Sequence, residues 1–294
     1  MNFQKLIEVK NWSDYSVGLG GCRVGDYFLN QCDYDITVFD NAPLGDELIQ
    51  FQNEFIKIHH GSFSETKSKK LIQYDNMQII QDDSWDLRML LSKIKEKRLI
   101  FFRDYAKDSL LESLFCCEKA KQGIKDSNVF APYWQKCASY FLADGIMGLN
   151  YYKPSATHML DILRRFEKNP INEKISVINE TVGIERATPS LLERMLKSTM
   201  GFSELFEKNN HSLIIQRQHD YFIKNSMLSD CYFFLGYTNK EIFINFKDSI
   251  LKQPDLIHIL KISFDIAVDP HLLGTQADLV EKSSNEILQY LSKR

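Results

Sequence analysis

The feature that most constrains this chain is a change of hydrophobic period near residue 84. Before it, apolar residues gather in short β-forming runs, "SVGLGG", "DYDITVFD", "EFIKIHHGSF" and "KKLIQYDNMQIIQ". Turn formers such as "DNAPLGDE" and "SETKSK" separate them. "EFIKIHHGSF" and "KKLIQYDNMQIIQ" look like a hairpin, and residues 22–32 read as a short helix and loop. After the change, Leu87, Leu90, Leu91, Ile94 and Leu99 recur at three- and four-residue spacing, the period of an amphipathic helix. Ser84 is the expected helix start, with Asp83 as the alternative cap. Further helical segments run to the end, with a long one over 209–235, and Pro170, Pro189, Gly236 and Pro254 mark joints. The expected fold is α+β: a small mixed sheet over 1–84, then a large all-helical region. That region divides into 85–170 and 171–294 if Pro170 separates them, or continues through as one body.

Composition limits the function classes. The 294 residues are enough to bury a sizeable core. Lys plus Arg is 36 against 39 Asp plus Glu, a formal net charge of -3. No global basic field exists, so long nucleic acid is not an expected partner, although an RNA end stays open. No run of eighteen apolar residues is present, and "MNFQKLIEVKNWSD" lacks a signal-peptide core. A cytoplasmic protein without a membrane partner is expected. The six cysteines form no paired CxxC array and read as reduced structural thiols rather than a zinc site.

The chemistry concentrates in "SVGLGGCRVGDYFLNQCDYDITVFD", residues 16–40. In a strand, Asp33 and Asp35 share one face while Tyr34 and Ile36 turn to the other. Two carboxylates so close raise each other's pKa unless a cation stands between them. Mg²⁺ is a hard cation that prefers such oxygens, and carboxylate-held metal suits phosphoryl or nucleotidyl transfer. Gly20 and Gly21 follow a short strand, where the missing side chains leave room for a triphosphate. Their amides, with the turn that follows, are placed to cradle phosphate oxygens. Cys22 and Arg23 would lie beside that phosphate, Arg23 with the charge to bind it.

Leu19, Gly20, Gly21, eleven intervening residues and Asp33-Tyr34-Asp35-Ile36 together resemble the signature of the DNA polymerase β-like nucleotidyltransferase superfamily. "GGCRVGD" is similar to the nucleotide-transfer turn of CCA-adding enzymes and poly(A) polymerases, with the arginine one residue earlier. The resemblance is tight over 16–40 and loose over 41–84. It implies a nucleotidyltransferase-like sheet domain with helical partner domains, Mg²⁺ as cofactor and a nucleoside triphosphate, ATP first, as substrate. It further implies a metal-dependent enzyme that moves a nucleoside monophosphate to an acceptor hydroxyl of a small molecule, a protein or an RNA end, releasing pyrophosphate. Family members hold a third carboxylate on a later strand. Asp82, just before the first long helix, ranks first for that role, and Asp75 ranks second. Lys107, on the helix that borders the cleft in such enzymes, is a candidate phosphate contact.

Other residues carry less. His59 and His60 are adjacent in a strand and face opposite ways, so one of them points to the cleft. Arg164 and Arg165 read as a solvated helix face, and Tyr133 and Tyr140 as packing or base-stacking residues. The competing reading is a catalytically inactive nucleotide-binding or interaction module of the toxin–antitoxin kind that keeps the fold. A structural helical adaptor is the third. A Rossmann dehydrogenase is poorly supported, because "GLGG" lacks the full glycine fingerprint.

Overall fold

The computed structural model describes residues 1–25, 27–207, 210–266 and 269–292. The chain divides into two compact units, Met1–Tyr105 with Asn209–Ile214, and Ala106–Lys208 with Ile215–Arg294. The joint thus falls at 105/106 rather than at residue 84, and residues on both sides of Pro170 belong to one helical unit.

The first unit is built on five strands: β1 (Val17–Gly20), β2 (Tyr34–Val38), β3 (Glu47–Phe51), β4 (Glu54–His60) and β5 (Gln78–Gln81). Their order is β3-β4-β2-β1-β5. β2 and β4 run parallel, and the other pairs are antiparallel, so the sheet is mixed as expected. The expected hairpin is corrected. β4 pairs with β3 through a turn at Gln52 and Asn53, both in the left-handed region, while β5 lies at the opposite edge. "KKLIQY" forms a helical turn, α2 (Ser68–Leu71) running into a 3₁₀ segment at Ile72–Tyr74.

Alternation decides which face is buried. Val17, Leu19, Ile36, Val38, Ile56 and Ile58 turn to one side, where Leu6 and Ile7 of α1 (Phe3–Lys10) close the core. Asp35, Thr37, Lys57 and His59 fall on the other side by the same period. A second cluster around Phe39, Met77, Leu87 and Leu90 includes α3 (Asp86–Glu96). The neighbouring α4 (Arg98–Lys125) runs from this unit into the next.

The helical unit centres on α5 (Ala131–Leu149) and α10 (Leu228–Leu251), which are buried along much of their length. Around them lie α6 (Met159–Arg165), α7 (Ile175–Val182), α8 (Pro189–Phe202), α11 (Pro254–Ser263) and α12 (Pro270–Ser292). The long run expected over 209–235 is broken into α9 (His211–Lys224) and α10, with Ser226 at φ 57° between them. Pro189 and Pro254 open helices, where the missing amide costs nothing. Gly236 is no joint. It lies inside α10, and a Cβ there would sit 1.8 Å from the Tyr140 hydroxyl. Tyr133 and Tyr140 are buried, at 2% and 1% exposure, and are core residues rather than stacking platforms. Among the described residues, no helix is long and apolar enough to cross a membrane.

Candidate functional site

Antiparallel pairing sets Gly20 opposite Asp35, so the glycine turn and the acidic strand meet side by side. The contact is closer than pairing alone requires. Gly21 has φ 69° and ψ −159°, a conformation almost restricted to glycine, and a Cβ on it would lie 1.7 Å from Asp35 Oδ2. The Asp35 carboxylate therefore occupies the space that a side chain at Gly21 would fill. A 3₁₀ turn, Cys22–Val24, leaves from this point, in place of the helix expected after the glycines.

On the other side of Asp35, the parallel register places Lys57 of β4 directly opposite, with His59 two residues further on the same face. His59 is the histidine that turns to the acidic pair. Its Nε2 lies 3.2 Å from Asp35 Oδ1 and its Nδ1 lies 2.8 Å from Asp46 Oδ1. Lys57 Nζ reaches the other oxygen of Asp46 at 3.3 Å. Asp46, in the loop before β3, thus braces both cationic side chains. His60, on the opposite face, bonds Asp40 at 2.8 Å.

The electrostatics follow from this crowding. Burial, and then the neighbouring Asp35, push the Asp33 carboxyl up to about 6. Burial works against the charged forms of Lys57 and His59, yet the surrounding carboxylates raise both. Burial would also raise Asp46, but its bonds to His59 and Lys57 hold it well below the usual carboxylate range. Three carboxylates, Asp33, Asp35 and Asp46, stand against one lysine and one histidine. Even with His59 protonated, the cluster keeps an excess negative charge. Asp33 and Asp35 supply hard oxygen donors and a charge deficit, which fit one divalent cation of the Mg²⁺ kind.

Asp82, Asp75 and Arg23 are committed to other partners. Asp82 is not beside the pair. Its carboxylate accepts hydrogen bonds from Ser16 Oγ at 2.9 Å, Leu87 N at 3.1 Å and Arg88 N at 2.9 Å. It therefore caps α3 beside Ser84, whose Oγ accepts from Asp86 N at 3.4 Å as expected of a helix start. Ser16 precedes β1 and Gly20 ends it, a separation of about 13 Å at the usual strand rise. Asp75 is buried and takes both oxygens to Arg98 Nε, at 3.1 and 3.0 Å. Among the described residues, no third carboxylate comes close enough to share one ion with Asp33 and Asp35. Replacing Asp82 with alanine is expected to cost about 1–2 kcal/mol of stability through the lost cap, which thermal unfolding of the variant checks.

Arg23 is likewise turned away from the carboxylates. Its guanidinium donates to the Cys32 carbonyl at 2.9 and 2.6 Å and to the Asn30 carbonyl at 3.2 Å. It also covers the Tyr34 ring at 3.9 Å, on the core side of β2. Its work is to hold the loop before β2 against the glycine turn. Cys22 is held nearby, its thiol raised first by a hydrogen bond with Cys32 and then by burial. Lys107 lies on α4 beyond the joint, in the helical unit. Arg164 and Arg165 are paired with Asp230 and Asp161.

Sequence reasoning missed Lys57 and Asp46. The alternation in "EFIKIHH" already sets Lys57 and His59 on one face, but only the parallel pairing with β2 shows that Asp35 shares it. Asp46 carried no signal, because a loop carboxylate gains its partners through tertiary structure alone.

No family model matches this chain, and no curated protein matches it. Among solved structures it is similar to a nucleotidyltransferase-like protein from Exiguobacterium sibiricum 255-15. The identity is 13% and the TM-score 0.32, over 76% of this chain and 90% of that one.

Proposed function

We propose that the first unit binds a nucleoside triphosphate as its Mg²⁺ complex and transfers the nucleoside monophosphate to an acceptor hydroxyl, releasing pyrophosphate. The observation that carries this reading is the contact between Gly21 and the Asp35 carboxylate. It packs the backbone of the glycine turn against Asp35, in a cluster whose carboxylates Asp33, Asp35 and Asp46 outnumber its cations Lys57 and His59. Asp33 and Asp35 would hold the ion, and Gly20 and Gly21 would face the β- and γ-phosphates. The ion, when bound, neutralises the phosphates and polarises the α-phosphorus. Asp46 positions His59 and Lys57 beside Asp35. ATP is the first nucleotide to test.

The second reading, a nucleotide-binding module without transfer, is favoured by the commitment of Asp82 and Asp75 to α3 and Arg98. Release of pyrophosphate from bound nucleotide separates the two readings.

Calorimetric titration of each nucleoside triphosphate with Mg²⁺ tests the binding that both share. Wild-type protein is expected to bind, and an Asp33→Ala/Asp35→Ala variant to lose that binding. Asp33 takes up a proton below about 6 in the folded protein. Protonation competes with the cation, so Mg²⁺-dependent affinity should rise as pH is raised through about 6 and level off above it. Equal binding by wild type and double variant would contradict the reading.

A further inference from the structure

The strand beside the acidic pair carries a fixed positive charge in a built setting. Lys57 is the direct cross-strand neighbour of Asp35. Gly20 is the neighbour on Asp35's other side. Across this face of the sheet the order is therefore glycine turn, carboxylate, ammonium, with adjacent strands about 4.8 Å apart. The lysine is not a loose surface side chain. Asp46 holds its Nζ at 3.3 Å, and His59 in turn holds Asp46 at 2.8 Å. An ammonium has three donors, and Asp46 takes one of them.

We infer that Lys57 does the work of a second cation, so that the site takes a nucleoside triphosphate with a single divalent ion and Lys57 binds phosphate oxygens directly. The inference rests on the nucleotide reading above and specifies its charge arrangement. A second divalent ion beside Asp35 would stand next to the ammonium and be repelled by it, and the carboxylate nearest that position, Asp46, is already occupied by Lys57 and His59. The triphosphate carries the opposite charge. Once it covers the glycine turn and Asp35, the free donors of Lys57 are its nearest cationic partner on β4. Lysine suits the role as a compact point charge, and Asp46 holds it in place beside Asp35.

The test counts ions and measures binding, without relying on turnover. Bound Mn²⁺ is counted by electron paramagnetic resonance on the full chain saturated with ATP. ATP affinity is measured with Mn²⁺ and with EDTA for wild type, Lys57→Arg and Lys57→Met. One Mn²⁺ per wild-type chain is expected, together with weak but measurable ATP binding in EDTA. Lys57→Met is expected to weaken ATP binding by about 10- to 100-fold, the range of one charge-assisted hydrogen bond, and Lys57→Arg to restore most of it. Two Mn²⁺ per wild-type chain would overturn the inference, and this count needs no variant to fold. Unchanged ATP affinity in a folded Lys57→Met protein would overturn it while leaving the nucleotide reading intact. Wild-type protein that takes no ATP under any condition would overturn both.

Discussion

Lys240→Met is expected to destabilise the helical unit by about 3–5 kcal/mol, the cost of leaving one member of a buried ion pair alone. Lys240 is 1% exposed on α10, and its Nζ lies 2.9 Å from Asp144 Oδ2 of α5, itself 3% exposed. Tyr237 donates its hydroxyl to the other carboxylate oxygen at 2.7 Å. The ammonium also rests 3.8 Å from the centroid of the Tyr237 ring and 4.5 Å from that of Phe141. Removing the lysine leaves Asp144 in a site where burial already disfavours its charge and Lys240 is the chief opposing influence. The carboxyl must then take a proton or draw in water. Asp144→Asn in the same chain removes the stranded charge and keeps an acceptor for Tyr237. The double variant is expected to recover most of the loss, because replacing both members of such a pair is far cheaper than removing one. Urea unfolding of the three proteins checks this. A single variant within about 1 kcal/mol of wild type would show that Asp144 does not depend on Lys240.

The second large effect is at Gly21. Gly21→Ala is expected to cost about 1–3 kcal/mol from backbone strain alone, since φ 69° with ψ −159° is a region that only glycine occupies readily. The new Cβ would lie 1.7 Å from Asp35 Oδ2, so the carboxylate must also leave its place. ATP binding in Mg²⁺ should weaken by at least tenfold, about 1.4 kcal/mol. Gly25→Ala is the control. That residue has φ −107°, and among the described residues its added Cβ would have only the Cys22 carbonyl, 3.6 Å away, within contact. A Gly21→Ala protein that folds and binds ATP like the Gly25→Ala protein would contradict the placement of the site.

How far the sequence reveals this arrangement depends on whether a signal is local. β1, β2 and β4 declare themselves through alternation, and the same period of two sets Asp33 with Asp35 and sends Ile36 to the core. The strand β3 is hidden because "ELIQF" lies at the sheet edge, where no residue is fully buried and the alternation is blurred. Asp82 misleads for a local reason as well. A carboxylate at the end of a strand and before a helix suits a third metal ligand and a helix cap equally, and the chain uses it as the cap. The pairing of Lys240 with Asp144 spans 96 residues and joins two apolar helices, so no window along the chain contains it. Gly236 reads as a break because glycine favours ends, whereas here it makes room for the Tyr140 hydroxyl between α5 and α10.

The structure of the full chain with Mg²⁺ and the non-hydrolysable analogue α,β-methylene-ATP tests the proposed nucleotide site most directly. The expected result is triphosphate over Gly20 and Gly21, one metal ion on Asp33 and Asp35, and Lys57 against phosphate oxygens. Nucleotide bound away from the glycine turn, or a metal ion that ignores Asp33 and Asp35, would contradict it.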